Sequence, residues 1–218
     1  MLFRSSSRAG VAFDTSKRFG HSISRERGVM AGTTLELSRK ALGASADSTT
    51  ATVDVRAYAP GVGRQHVIAV RAAAGESTGA EGVARALTLG ELRASPSVMD
   101  FGARALGLFR GTGGSTSTGT RLLAFNAEYR LPLARVERGR GTLPLLLRTV
   151  HASVFADVAR PSGGLADGRW RRAAGGELHA DAVGGFALPF VATVGAAWTD
   201  APGRPRDVSA YARIGRAF

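Results

Sequence analysis

Three polar side chains on two neighbouring segments have the types and spacing of a hydrolytic site. His151 and Ser153 are two residues apart, so an extended strand places both on one face, and Asn126 lies on the preceding alternating segment. A nucleophilic serine requires a base within hydrogen-bond reach and a group that orients this base. The acids Glu128 and Asp157 fall on the same face, however, which indicates a water-exposed surface. A lipid ester, the substrate that such a site in a membrane protein would hydrolyse, does not reach a surface of this kind. We therefore expect no enzymatic activity.

Metal and nucleotide chemistry have weaker support. His151, His179 and Asp181 are residue types that bind zinc, but solvated polar side chains on a strand explain them equally well. The glycine-rich run 111–114 lacks the following lysine of a phosphate-binding loop. The chain has no cysteine, which excludes disulfides and thiolate metal ligands. We expect no metal and no cofactor.

The positive charge is carried almost entirely by arginine. The net charge is +12, and Lys17 and Lys40 are the only lysines. A nucleic-acid-binding surface requires clustered basic residues and aromatic side chains for base stacking, but Tyr58, Phe155 and Tyr211 are scattered. We therefore expect no nucleic-acid partner. We expect the arginines to line an aqueous interior or to contact anionic lipid head groups.

The elements that position these residues are strands, because apolar and polar residues alternate over nine segments. In the segment that contains Asn126, for example, Leu123 and Phe125 lie opposite Ala124 and Glu128. The nine predicted strands are 8–18, 29–39, 50–58, 66–74, 121–133, 149–158, 171–183, 189–199 and 208–218. Residues 77–119 interrupt the pattern as a long external loop, in which 84–93 could form one or two helical turns.

This alternation fits two kinds of all-β domain. In a water-soluble sandwich the apolar faces form the core, whereas in an outer-membrane barrel they contact lipid and the polar faces enclose a wet interior. Segments of about ten residues cross an outer membrane when tilted. Short connectors near Gly61, Gly139 and Gly185 alternate with longer ones, which is typical of a barrel.

Four groups of residues occur in an order that resembles a known family. They are Arg110-Gly111, then Asn126-Ala-Glu128-Tyr-Arg130-Leu-Pro132, then Phe155-Ala-Asp157, and the terminal Ile214-Gly215-Arg-Ala-Phe218. They resemble the barrel of the bacterial surface antigen superfamily, the BamA- and TamA-like outer-membrane assembly and translocation factors. The resemblance implies that residues 1–218 are part of an antiparallel transmembrane β-barrel, about the last nine strands of a larger one. Because nine is odd, we expect further strands before Met1.

The resemblance also implies a function and a site. Arg110 would anchor the loop inside the barrel, with Asp157 as its main partner, Glu128 as its second partner and Gly111 beside it. Carboxylates on the barrel wall suit the guanidinium group, which can bind them through two hydrogen bonds. The protein would guide insertion or translocation of polypeptide clients at the bacterial outer membrane, in contact with its lipid.

The C-terminal segment resembles the signal that the outer-membrane assembly machinery recognises. Its residues are Tyr211, Ile214, Gly215 and Phe218, which we expect to pair as an edge strand during insertion. Three alternatives remain open. One is a small outer-membrane barrel without insertase activity. Another is an enzyme, since His151, Ser153 and Asn126 resemble the His-x-Ser plus Asn arrangement of outer-membrane phospholipase. The most remote is a soluble basic nucleic-acid-binding β protein.

Overall fold

The computed structural model describes residues 5–20, 22–79, 84–90, 98–99, 105–112, 117–139, 141–185, 187–202 and 206–216. In chain order the strands are β1 (Ser6–Asp14), β2 (Gly28–Ser38), β3 (Ser48–Pro60), β4 (Val67–Gly79), β5 (Leu87–Gly90), β6 (Gly107–Leu108), β7 (Ser117–Gly119), β8 (Arg121–Gly139), β9 (Leu145–Gly163), β10 (Ala166–Asp167), β11 (Arg171–Gly184), β12 (Leu188–Asp200) and β13 (Asp207–Arg216). A single 3-10 turn covers Lys40–Leu42. In the described ranges, no helix is long and apolar enough to cross a membrane.

Nine long strands form one antiparallel sheet in the order β1-β2-β3-β4-β8-β9-β11-β12-β13. Each corresponds to one of the nine predicted segments, and the all-β, antiparallel prediction is confirmed. Over the residues that the structure describes, β1 pairs only with β2, and β13 pairs only with β12. The sheet therefore has two edges.

The connections between consecutive long strands lie alternately at the two ends of the sheet. Residues 15–27, 61–66, 140–144 and 185–187 join strands at one end, which we call the turn end. Residues 39–47, 80–120, 164–170 and 201–206 join them at the other, the loop end. The short connectors predicted from glycine positions thus all lie at one end of the sheet.

The two faces of the sheet have the reverse of the usual burial. The polar face carries Asp54, Asp157 and Glu177, which are 2%, 0% and 4% exposed. The opposite, apolar face carries Phe125 and Val194, which are 48% and 53% exposed. Many similar side chains share this exposure, among them Val53, Val55, Leu123, Val154, Leu178, Trp198, Val208 and Ile214. The sheet therefore buries its polar side chains and exposes its apolar ones.

The polar face is covered by the described parts of the long connection between β4 and β8. Here β5 pairs with β6 in parallel and with β7 in antiparallel orientation. The prediction of helical turns in 84–93 is therefore wrong at Leu87–Gly90, and 77–79 belong to β4. Apolar loop residues pack against small or apolar residues of the sheet, in a cluster of Ala73, Leu87, Leu89, Leu106, Phe109, Leu122, Ala124, Ala159 and Ala173.

Glycines of the sheet allow this close approach. A Cβ on Gly75 would lie 2.6 Å from Leu106 Cδ2, and one on Gly32 would lie 2.6 Å from the carbonyl oxygen of Val98. Both distances are shorter than van der Waals contact, so a side chain at either position would displace the loop. The small residues of the polar face therefore create the space that the loop occupies.

Candidate functional site

The candidate site lies where residues 105–112, which we call the arginine arm, cross β8 to β13. The backbone N–H of Phe109 donates to the carbonyl oxygen of Gly90 at 3.0 Å, which fixes the arm beside β5. The amide of Asn126 donates to the carbonyl oxygen of Leu108 at 2.9 Å. Phe109 is only 1% exposed. Packing and hydrogen bonds therefore hold the arm in place on the N-terminal side of Arg110.

Arg110 and Asp157 form the centre of the site. The Nε and Nη2 groups of Arg110 each donate to one carboxylate oxygen of Asp157 at 2.9 Å, and its backbone N–H donates at 3.1 Å. The guanidinium carbon lies 3.6 Å from the centre of the Phe155 ring, a cation–π contact. The two charged side chains are 1% and 0% exposed, so this ion pair is fully removed from solvent.

A second carboxylate contacts Arg110, and it is one that the sequence did not predict. Arg110 Nη1 lies 3.3 Å from Glu177 Oε2 but 3.7 Å from Glu128 Oε2. The hydrogen bond of Glu128 at 3.0 Å is with Arg130 instead. The only available signal for Glu177 was its place on the polar face of the predicted strand 171–183.

The surrounding acids determine the charge state of the arm. Burial alone would lower the pKa of the Arg110 guanidinium, but the hydrogen bonds and charge of Asp157, with the charges of the two glutamates, raise the pKa above its ordinary value. Arg110 is thus a permanent cation, held by carboxylates on three different strands.

Gly111 ends the arm in a conformation that favours glycine. Its φ is +81°, in the left-handed region. A Cβ at this position would also lie 2.5 Å from Ala197 Cβ and 2.8 Å from Thr199 Cγ2, both on β12. Its carbonyl oxygen accepts a hydrogen bond from Ser209 Oγ on β13 at 2.8 Å. The arm therefore contacts the last two strands, β12 and β13.

The polar face of β13 is connected to the same site. The Tyr211 hydroxyl and Arg213 Nη2 both donate to Glu177 Oε1, at 2.7 and 2.6 Å. Of the predicted C-terminal signal, Tyr211 therefore lies in the arginine network, whereas Ile214 is 79% exposed on the apolar face. Gly215 pairs with Val191 in the ladder. Phe218 lies outside the described residues.

The three residues of the enzymatic alternative each have another partner. Ser153 Oγ hydrogen-bonds with Nε2 of His179 at 3.0 Å, not with His151, and Ser153 is 2% exposed. His151 stacks on His179 with ring centres 4.5 Å apart. Asn126 donates to Asp157 at 2.8 Å and so orients the ion pair rather than a histidine. In the described structure these three residues do not form one hydrogen-bonded group, because the register brings His179 rather than His151 to the serine.

Two groups of possible metal ligands contain competing partners. His151 Nδ1 lies 3.3 Å from Asp181 Oδ2, but His179 Nδ1 hydrogen-bonds with a threonine hydroxyl. Glu128, Glu177 and His179 bring ligand atoms within 4.8 Å of one another. Guanidinium groups already occupy the space next to both glutamates, at 2.6 to 3.7 Å. In this second group, arginine side chains therefore supply the positive charge that a metal ion would otherwise supply.

A cavity of about 610 Å³ lies between the arginine arm and the turn end of the sheet. Arg110 and Leu108 border it on the arm side, and residues of the 15–27 connection, together with Arg135 and Arg148, border it at the turn end. Comparison with known proteins supplies no relative for this site: no family model matches the chain, and no curated protein matches it.

Proposed function

We propose that this chain is part of an outer-membrane β-barrel of the assembly-factor type, which guides insertion or translocation of polypeptides. The observation that carries the proposal is the reversed burial of the two faces. A soluble sheet would leave Phe125, Val154 and Val194 in contact with water and bury Asp54 and Asp157. In a bilayer, the same exposed apolar residues contact lipid and the polar face encloses an aqueous interior.

Two features of the fold support a membrane location further. The nine long strands have 9 to 19 residues. A tilted strand crosses an outer membrane with about 9 to 11 residues, so each of the nine is long enough. Three of the four connections at the turn end have three to six residues, and the longest connection lies at the loop end. This asymmetry is typical of outer-membrane barrels, whose turns on one side are short.

The arginine arm supports the assembly-factor type within this class. The resemblance implies a loop arginine anchored to the aspartate of the Phe-Ala-Asp strand, and Arg110 contacts Asp157 through three hydrogen bonds. The polar network around it contains ion pairs and a Ser153–His179 hydrogen bond without an exposed nucleophile. We therefore propose action by binding rather than by bond chemistry.

The edges of the sheet suggest how polypeptide would be bound. β1 and β13 each have one side without a strand partner in the described ranges. Unpaired backbone N–H and C=O groups on an edge recruit an extended segment by adding it to the sheet. A client strand bound in this way would have its backbone groups satisfied before it enters lipid, where unsatisfied groups are costly.

The membrane location can be tested with the two tryptophans of the chain. Trp198 is 40% exposed on the apolar face near the end of β12, and Trp170 lies in the connection before β11. We would reconstitute the W170F variant in vesicles of brominated phospholipid and measure the emission of Trp198. Strong quenching relative to unbrominated vesicles is expected. Emission that is unchanged, with acrylamide in the buffer quenching it fully, would refute the membrane proposal.

The assembly activity requires a second measurement in the same vesicles. A urea-denatured outer-membrane barrel is added, and its folding is followed by the change in its electrophoretic mobility without heating. We expect faster folding with the wild-type chain, and slower folding with R110K, which keeps the charge but loses the two-pronged contact. The matched control is R121K, because Arg121 forms an exposed pair with Glu76. Quenching without faster folding would leave a small barrel without insertase activity.

A further inference from the structure

A second, open pocket of about 540 Å³ lies at the loop end of the sheet. It forms where the connections 164–170 and 201–206 meet the ends of β9 and β12. Two arginines, a tryptophan and an aspartate line it, with a glycine and a proline: Arg160, Gly168, Arg169, Trp170, Asp200 and Pro202. Guanidinium groups bind carboxylate and phosphate oxygens through charge-assisted hydrogen bonds. The residue types of the lining therefore favour an anionic ligand.

This pocket lies at the edge of the apolar face. Arg160 is an even number of residues from Val154 on β9, so both side chains lie on this face. Asp200 and Trp198 on β12 are related in the same way. Val154 is 55% exposed and Trp198 is 40% exposed. In the proposed membrane location, the pocket therefore lies at the level of the lipid head groups, where tryptophan side chains are common.

Arg160 is positioned by the connection that it contacts. Its Nε group donates to the carbonyl oxygen of Gly168 at 2.7 Å, and its guanidinium carbon lies 5.7 Å from the centre of the Trp170 ring. The connection is itself held to the sheet, because β10 pairs with the end of β9. The hydrogen bond uses Nε, so within the described structure both Nη groups of Arg160 keep their donors for a ligand.

The second arginine of the pocket, Arg169, is fixed through its backbone. Its N–H donates to Asp167 Oδ1 at 3.2 Å, and its side chain is exposed. The acid of the pocket is Asp200, whose Oδ2 lies 3.7 Å from Arg206 Nη2. Because like charges repel, a phosphate is favoured beside the two lining arginines and away from Asp200.

We propose that this pocket binds the phosphate group of a membrane lipid. Arg160 and Arg169 bind the phosphate oxygens, and Trp170 packs beside the head group. The acyl chains continue along the exposed apolar side chains of β9 and β12, among them Val154 and Trp198. This continuity selects a lipid over a free phosphate, because the pocket opens directly onto the apolar face. The assignment rests on the proposed membrane location, but the arginine arm and the client strand take no part in it.

The test uses Trp170 as the reporter of the pocket. In the W198F variant Trp170 is the only tryptophan, since the chain has two. The full chain in dodecyl maltoside micelles is titrated with dihexanoyl phosphatidate, and the emission of Trp170 is followed. The matched probe is dihexanoylglycerol, which has the same acyl chains but no phosphate. Inorganic phosphate supplies the anion without acyl chains.

We expect a saturable change in emission with the phosphatidate only, at a half-saturating concentration that rises with salt. Absence of a change with the phosphatidate would overturn the proposal. An equal change with dihexanoylglycerol would overturn the role of the phosphate. Saturation by inorganic phosphate at the same concentration would overturn the choice of a lipid.

Variants locate the bound phosphate. In the W198F background, we expect R169Q to raise the half-saturating concentration about tenfold, the effect of losing a charge-assisted hydrogen bond. We expect R160Q to raise it at least as much. Both lining arginines are exposed, so the variants should fold as the wild-type chain does. The matched control is R64Q, because Arg64 is an exposed arginine of the 61–66 connection at the turn end. Equal values in all three variants would overturn the proposed location.

Failure of this proposal is distinguishable from failure of the membrane proposal. The titration contains no vesicle and no client, whereas the membrane location is measured by quenching of Trp198 emission with brominated lipid. Quenching of Trp198 without binding of the phosphatidate would overturn the assignment of the pocket and leave the membrane location in place.

Discussion

Replacement of Asp157 by asparagine removes the charge that holds Arg110 while it keeps the shape of the side chain. Asp157 accepts three hydrogen bonds from Arg110 and a fourth from Asn126. Both members of the pair are at most 1% exposed, so water does not replace the lost partner. Loss of one member of a buried ion pair costs about 3 to 5 kcal/mol.

The lower part of that range is expected here. Asparagine retains one oxygen that can accept from the guanidinium group, and Glu177 remains 3.3 Å from Arg110 Nη1. We therefore expect D157N to lower the free energy of unfolding by about 3 kcal/mol, a change of roughly 150-fold in the folded-to-unfolded ratio. The assay is urea unfolding of the full chain in detergent micelles, followed by tryptophan emission.

The control is D167N, which makes the same chemical change at the loop end. Asp167 is 35% exposed and pairs with Arg171 at 3.2 Å, so we expect a cost below about 1 kcal/mol. A second check is the double variant R110M/D157N, whose cost should be less than the sum of the single costs, because the two residues interact directly. Equal costs for D157N and D167N, or additive costs in the cycle, would refute the buried-pair argument.

Three further predictions concern the surroundings of this pair. G111A should cost about 1 to 3 kcal/mol more in urea unfolding than G141A, since both glycines have positive φ but only a Cβ on Gly111 meets β12. Y211F should cost about 1 kcal/mol and speed amide hydrogen exchange in β13, because the hydroxyl no longer donates to Glu177. V194R should cost about 2 to 4 kcal/mol in vesicles if the apolar face contacts lipid, but at most about 0.5 kcal/mol on a water-exposed surface.

The strands could be predicted because their signal is local. Alternation of apolar and polar residues within ten positions is sufficient to indicate a strand and its two faces. The alternation is lost where the register shifts, as it does at Pro132/Ala134 and Arg135/Arg138. The predicted strand 121–133 therefore ended too early, because β8 continues past these irregularities to Gly139. The strand Leu87–Gly90 was missed because it has only four residues, too few to show a clear alternation.

The site could be predicted only in part, for a related reason. The sequence indicates that Arg110, Asp157 and Glu177 belong to a loop and to polar faces, but not which carboxylate the loop reaches. That depends on register, which sets Glu177 opposite Ser153, and on the packing of Phe109. The expected second partner, Glu128, lies opposite Phe155 and forms its hydrogen bond with Arg130. Residue types were therefore predictable, but distances between them were not.

The direction of the two edge strands has a consequence for any closed form of this sheet. β1 and β13 are the first and ninth strands of a fully antiparallel order, so they run in the same direction. Direct pairing between them, or between edges of two copies with the same orientation in a membrane, would create a parallel ladder, which is slightly less stable per residue. Closure with only antiparallel neighbours requires an odd number of additional strands. A single inserted hairpin cannot complete the ring, whereas one strand or three can.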